Sequence, residues 1–301
     1  MAIIEPENTE LASDMPENAE QKFPVTIYSS VSTLKLGWAA SLKKAGKELF
    51  LYRHFIWQMG KTSFLASFKN TSLGLFWAFV LPLVAPMVYV LLQFLGVFSL
   101  DPQFPRALYV VAGFFFWNLW SETTVSTMNC INRNAKFVQK NSVPLLAVFL
   151  GNLGTTFFNI IPTSALLLVL AFYYNVGSHL YLLLLPLIGV LVLLLGLGMG
   201  MLLSIFAVFS DDFKNIVSIF VRYAMFASAV IFPIPAGEGL SRIIQYNPFL
   251  HMVEGARNTM LFGFTGNELF LPVLAGTALV LCVFAAKKIV GLESRLLAGI
   301  D

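Results

Sequence analysis

Apolar residues in this chain fall in long unbroken runs rather than in alternation. A bilayer core about 30 Å thick is crossed by roughly 20 residues of helix. Runs of that kind lie at about 73–98, 106–128, 145–173, 180–207, 215–235 and 269–287, and predict an all-α, polytopic protein with six transmembrane helices. Only a short segment around Asn175–Ser178 separates the third run from the fourth, so a tight hairpin is expected there. Ahead of the first run, Leu49, Tyr52, Ile56 and Met59 recur at i, i+3, i+7 and i+10, while Lys47, His54, Gln58 and Lys61 take another face. That spacing predicts an amphipathic helix on the membrane surface, placed over 43–70. Between the fifth and sixth runs, GEGLSRIIQYNP is too polar to cross, yet FLHMVEGARNTMLFGF is too apolar for an ordinary loop. An outer re-entrant segment of short helices fits both, and such backbone is tolerated at membrane depth only where protein buries it or water lines it.

Composition agrees with this pattern. Soluble domains carry about a quarter charged residues, whereas this chain has 12% charged and 57% hydrophobic residues and a mean hydropathy of +0.78. The net charge of +3 says less than its distribution. Basic residues near span ends stay on the cytoplasmic side. Lys43, Lys44, Lys47, Arg53, Lys61, Lys69, Arg133, Lys136, Lys140, Lys214, Lys287, Lys288 and Arg295 share one side, against Arg106, Arg242 and Arg257 on the other. Both termini are therefore expected in the cytoplasm. Glu5, Glu7, Glu10, Asp14, Glu17 and Glu20 crowd the first twenty residues with no apolar segment, which argues against a cleaved signal peptide and for a disordered acidic tail. The expected organisation is a cytosolic tail over 1–42, the interface helix over 43–70, the six-span domain over 71–290 and a cytosolic C-terminus over 291–301.

Several motifs lose their chemistry in context. Gly60-Lys61-Thr62 is the tail of a phosphate-binding loop, but that loop needs a glycine five residues earlier, between a strand and a helix, and Phe55 stands there. Lys61 instead reads as a snorkelling or headgroup-facing residue of the surface helix. Gly196, Gly198 and Gly200 lie inside an apolar run, where small residues permit close helix contact. Cys130, Cys282, His54, His179 and His251 show no ligand spacing, so neither a metal site nor a disulfide is expected, and no catalytic residue is expected either.

Glu122 and Arg222 are the ionisable residues inside runs, each a functional candidate because an intramembrane charge is costly. Each lies about eight residues from the cytosolic end of its span, hence roughly 12 Å deep. They are expected to face one another or a shared polar path, with a purely structural ion pair as the alternative. Trp117 and Trp120 share a face of the second span, and Trp77, Phe79 and Tyr89 lie in the first. An aromatic-lined channel lets sugars slide by stacking, as bases stack on rings; the plain reading of any single ring is an interfacial belt.

The order of these features resembles the membrane subunit of ABC-2 type exporters of lipid-linked polysaccharides, the O-antigen and capsular permeases. The matching stretches are FKNTSLGLFWAFVLPL (68–83), NRNAKFVQKNSVPLL (132–146), SDDFKNIVSIFVRYAMFASAVIFPIP (210–235) and IIQYNPFLHMVEGARNTMLFG (243–263), covering roughly residues 45–290. The resemblance implies a multi-pass subunit of a bacterial inner membrane. It implies a homodimer joined to two copies of a cytosolic ATPase, which binds the ATP and magnesium, so that this chain needs no cofactor. The substrate implied is a lipid-linked glycan, not a nucleic acid, moving along a path lined by Trp77, Phe79, Tyr89, Trp117, Trp120, Glu122 and Arg222. Arg133, Lys136, Phe137 and Lys140 then form a loop that couples to the ATPase, with Asp211 and Asp212 contributing. Tyr246, Asn247, Pro248, His251 and Arg257 form an outer gate. The plain readings are a basic loop obeying the charge rule and a Glu254–Arg257 pair on one helix face. The acidic extension of about 40 residues and Ser210-Asp211-Asp212, in place of a more usual Arg-Asp, depart from the family pattern. An ABC-2 exporter of teichoic acid or a drug shares the architecture. An integral-membrane enzyme of lipid-linked sugars would need more converging acidic groups, and a passive channel would need filter-like glycine loops.

Overall fold

The computed structural model describes residues 38–68, 76–96, 105–141, 143–175, 182–231, 244–262 and 269–298. Most of the acidic tail, the loop after the third predicted span and most of the polar stretch before Pro248 lie outside the described residues. Regular structure among the described residues is helical: α1 (Trp38–Leu51), α2 (Arg53–Phe68), α3 (Phe76–Phe94), α4 (Arg106–Met128), α5 (Cys130–Arg133), α6 (Ala135–Lys140), α7 (Leu145–Tyr173), α8 (Leu185–Ala207), α9 (Asp211–Ala224), α10 (Pro248–Phe262) and α11 (Phe270–Ala298).

Among the described residues, three helices are long and apolar enough to cross a membrane: Leu145–Tyr173, Leu185–Ala207 and Phe270–Glu293. The chain is therefore a multi-pass membrane protein. The other three predicted spans fall on helices of different character. In α3 the apolar stretch is Leu83–Leu92. The 23 residues of α4 carry Ser121, Glu122 and several threonines among their apolar positions. The run at 215–235 does not form one helix, because α9 ends at Ala224 and a 3-10 turn, Met225–Ala227, follows it. Ala229 then takes φ +51°, which no helix accommodates. Fourteen residues rise about 21 Å, short of a hydrocarbon core.

Other boundaries move for local reasons. Helix α1 starts at Trp38, inside the stretch expected as tail, since WAASLKKAGKELFL is rich in strong helix formers. Where a single interface helix is expected over 43–70, the described residues form two helices broken at Tyr52. The fourth span begins at Leu185 rather than 180, with Pro186 in the first turn, where a missing N–H is harmless. The sixth continues past 287 to Ala298.

Helix α8 is central, packed between α4 and α11. A Cβ on Gly196 would lie 2.8 Å from the Trp120 carbonyl oxygen of α4, and one on Gly200 2.6 Å from the Thr127 Cβ. One on Gly198 would lie 2.9 Å from the Cys282 nitrogen of α11. The glycine run thus serves two contacts on two faces. The expected hairpin of third and fourth spans is not a packing unit: α7 and α8 each pack chiefly on other helices, and α4 lies against both.

Helix α2 packs along α7. A Cβ on Gly60 would lie 3.0 Å from the Gly154 Cα, and Phe64 stacks on Phe158 at 4.6 Å. The constant offset of 94 residues (154 − 60 and 158 − 64) means that the two helices run in the same direction. Lys47, His54, Gln58 and Lys61 are exposed, while Leu49, Tyr52, Ile56 and Met59 are half-buried. Gly60 is thus a helix-crossing residue, and its place in a nucleotide-like motif is coincidence. Substituting Gly154 by valine drives a side chain into the Gly60 backbone. It is expected to destabilise the α2–α7 contact by about 1–3 kcal/mol, measured as faster proteolysis between α1 and α3.

Candidate functional site

Helix α4 supplies the centre of the candidate path. Its Glu122 carboxylate accepts a hydrogen bond from Asn159 Nδ2 of α7 at 2.6 Å, and one turn on, Ser126 accepts from Asn152 Nδ2 at 2.7 Å. Asn152, Thr156, Asn159 and Thr163 repeat at i, i+4, i+7 and i+11, a polar stripe inside an apolar run. That stripe gives the α4–α7 seam its polar character and is the signal that could have located Glu122's partner from sequence.

On the other side of α4, a cavity of about 280 Å³ is lined by Trp117, Asn118, Ser121, Glu122 and Val125, and by Ser218, Val221, Arg222 and Met225 of α9 and the turn after it. Glu122 and Arg222 therefore border one space, without an ion pair between them among the described residues. Arg222 is exposed. Trp117 reaches the cavity although almost wholly buried. Trp120 is fully buried, packed 5.0 Å from Trp117 and 4.3 Å from Phe249 of α10, so it supports the wall rather than lining it. The first-span aromatics sit elsewhere. Trp77 is exposed beside Phe76, Tyr89 packs on Phe114 at 5.3 Å, and Phe79 lies on α3 with its side chain outside the description.

The outer segment is tied to the break after α9. Asn247 caps α10 by accepting from the Phe249 N–H at 3.0 Å, and its Nδ2 donates to the Ala227 carbonyl at 2.8 Å and to Ser228 Oγ at 3.1 Å. Arg257, 1% exposed, donates through Nη2 to the Ala229 and Val230 carbonyls at 2.8 and 3.3 Å. Its guanidinium lies 3.6 Å from the centre of the Tyr109 ring. The expected Glu254–Arg257 pair is absent among the described ion pairs, because Arg257 is turned to carbonyls that the broken helix leaves unbonded. Tyr246 is 78% exposed, Pro248 opens α10, and exposed His251 places Nε2 2.7 Å from the Gln245 carbonyl.

At the opposite end lie α5 and α6. Arg133, Lys136 and Lys140 are exposed, and Phe137 stacks on Phe55 of α2 at 5.7 Å while remaining 40% exposed. Asp212 is exposed and Asp211 pairs with Lys214 in the first turn of α9, where Ser210 accepts the Phe213 N–H at 3.2 Å. Acidic residues suit that helix end. The Leu145 N–H, first in α7, donates to Glu293 Oε1 of α11 at 2.8 Å, a cap from a distant helix. Glu48 of α1 pairs with Lys44 at 3.6 Å. Burial pushes its carboxyl above the ordinary range, Lys44 opposes this, and the charge of Glu293 adds to it. Glu293→Ala is expected to destabilise by about 1–2 kcal/mol through the lost cap, read as a lower thermal midpoint in detergent.

Residues 54–261 match the family described as ABC-2 type transporter. The chain belongs to the ABC-2 type transporter family. It is also similar to the O-antigen export system permease protein RfbA of Myxococcus xanthus, with 25% identity over 211 residues, covering 69% of this chain and 80% of that one. The ABC-2 match spans α2 through most of α10, so it includes the α4–α9 cavity, α5 and α6, and the Arg257 contacts. Membership makes this chain the membrane subunit of a transporter rather than an enzyme. It also implies an ABC transporter with an ATPase partner.

Proposed function

We propose that two copies of this chain form the channel of an ABC exporter carrying lipid-linked polysaccharide, of O-antigen or capsular type. Transport runs from the cytoplasmic to the outer face of a bacterial inner membrane, and two cytosolic ATPase subunits bind the ATP and magnesium that drive it. The observation that carries this reading is the similarity to an O-antigen export permease over most of both chains. In this account all six predicted runs cross the bilayer, the fifth as α9 together with the broken stretch that follows it, both termini are cytoplasmic, and α10 belongs to a re-entrant segment. Phe249 against Trp120 and Arg257 against Tyr109 support that placement, since these α4 partners lie at different depths. Helix α3 and the face of α9 bearing Ile216, Ile219, Phe220 and Tyr223 are exposed and apolar in one protomer, which suits them to border a second copy and the lipid.

Trp117, Asn118, Ser121, Glu122 and Arg222 then contribute a patch of stacking surface and hydrogen-bonding groups to the glycan path. The basic α5–α6 segment receives the ATPase, and Asn247, Pro248, His251, Tyr246 and Arg257 hold the outer end. Arg222→Ala removes an exposed group and leaves the core untouched. It is expected to lower transport about tenfold, the effect of losing one charge-assisted hydrogen bond, with unchanged thermal stability. The reading is tested by purifying tagged protein in mild detergent, identifying the chains retained and assaying ATP hydrolysis. A stoichiometric nucleotide-binding partner is expected; a purified chain with no partner and no ATPase, before and after chemical crosslinking in the membrane, contradicts it.

A further inference from the structure

Helix α10 has two faces. Val253, Ala256, Arg257 and Met260 are buried in the protein, whereas His251, Glu254, Gly255 and Asn258 line a cavity of about 690 Å³ closed on its other sides by α8 and α11. That size lies within the range of small-molecule sites. The opposing wall carries Leu195, Met199, Val273 and Leu281, together with Thr277, whose hydroxyl is spent on the Val273 and Leu274 carbonyls of its own helix.

The polar and apolar parts are ordered along the membrane normal. Gly255 lies against the Phe270 ring, at the start of α11, so the Glu254–Asn258 end of the polar stripe is at the membrane-surface end of that helix, with His251 deeper towards Phe249 and Trp120. Leu281 is eleven residues further along α11 (281 − 270), about 17 Å away at the helical rise. Half of a hydrocarbon core is about 15 Å. The cavity therefore has the length of one leaflet, polar at the surface and apolar towards the middle.

Its electrostatics are specific. Glu254 is half-buried, and its carboxylate has no hydrogen bond or ion pair among the described residues. Arg257 and His251 of its own helix act on it through their charge, but the Arg257 guanidinium is turned to the Ala229 and Val230 carbonyls and His251 Nε2 to the Gln245 carbonyl. A half-buried, unpaired carboxylate at the mouth of an apolar-walled cavity calls for a cationic partner, and an anionic headgroup would be repelled.

We propose that the cavity between α8, α10 and α11 is a binding site for a zwitterionic phospholipid with an ammonium headgroup, the ammonium on Glu254 and an acyl chain along Leu195, Met199 and Leu281. The site is separate from the α4–α9 cavity and does not depend on the cargo. A lipid held there braces α10, and through Arg257 the turn after α9.

The test is native mass spectrometry of the purified full chain with added phosphatidylethanolamine or phosphatidylglycerol of identical acyl chains. The wild type is expected to retain the ethanolamine lipid about tenfold better, the ratio given by one paired charge. Glu254→Gln is expected to remove that preference, and Val273→Trp, at an exposed wall position, to reduce retention of both lipids. Equal retention of the two lipids by the wild type overturns the proposal. So does a preference that survives Glu254→Gln, or undiminished retention by Val273→Trp, while each variant keeps wild-type helix content and elution volume.

Discussion

Replacing Arg257 by alanine is expected to destabilise the protein by about 3–5 kcal/mol, since it leaves the buried Val230 carbonyl unbonded, leaves the Ala229 carbonyl only the Tyr109 hydroxyl at 3.4 Å, and opens a cavity against the Tyr109 ring. The size follows from what the residue holds. Helix α9 stops at Ala224, Ala229 adopts a positive φ, and among the described residues the Val230 carbonyl accepts from Arg257 while the Ala229 carbonyl accepts from Arg257 and from the Tyr109 hydroxyl. Gly113 marks the tightness of the site, since a Cβ there would fall on the Val230 carbonyl oxygen and the Arg257 guanidinium. Lysine keeps the charge but not the fork that reaches two carbonyls while stacking on a ring. Arg257→Lys should therefore recover only part of the loss. The measurement is thermal unfolding in detergent, with Arg222→Ala as the exposed-arginine control. An Arg257→Ala protein with the wild-type midpoint would show that the break after α9 is held by something else.

Reversing the charge of Arg133, Lys136 and Lys140 together is expected to lower transport, and ATP hydrolysis measured with the partner present, by about tenfold or more through weakened association. All three side chains are exposed, and α6 is anchored by buried Val138 and by Phe137 on Phe55, so the variant should fold as the wild type does. A second variant, Phe137→Ala, separates charge from anchoring. It leaves the basic groups in place and loosens their attachment to α2, so it should uncouple ATP hydrolysis from transport more than it weakens association. Full transport by the charge-reversed protein would move the coupling surface elsewhere.

Much of the helical architecture could be read from sequence because apolar run length and the absence of breakers decide it. The runs at 106–128 and 145–173 correspond residue for residue to α4 and α7. Pro186 lies in the first turn of α8, which starts a few residues later than the run, and the break at Tyr52 divides the stretch 43–70 into two helices. Hydropathy could not foresee the break after Ala224, since AMFASAVIF is apolar but for Ser228; the donors that hold it, Asn247 and Arg257, lie about 20 to 30 residues further on. From sequence Arg257 reads as an outer-gate residue or a partner of Glu254, for the same reason. Glu122 and Arg222 were singled out by charge alone and border one cavity, whereas hydrophobicity could not separate Trp120, which packs inside, from Trp117, which reaches the space. The polar stripe on α7 was present as spacing, Asn152 to Thr163, hidden in a run whose average is strongly apolar.

The most direct test of the export reading is where lipid-linked polysaccharide accumulates when this chain is depleted in its host. With intact cells and lysed cells probed by the same glycan-specific lectin, the account predicts that surface signal falls and that lysis uncovers carrier-linked polymer on the cytoplasmic side. Unchanged surface polysaccharide, with no polymer uncovered by lysis, would contradict it and turn the search to another cargo for this ABC-2 permease.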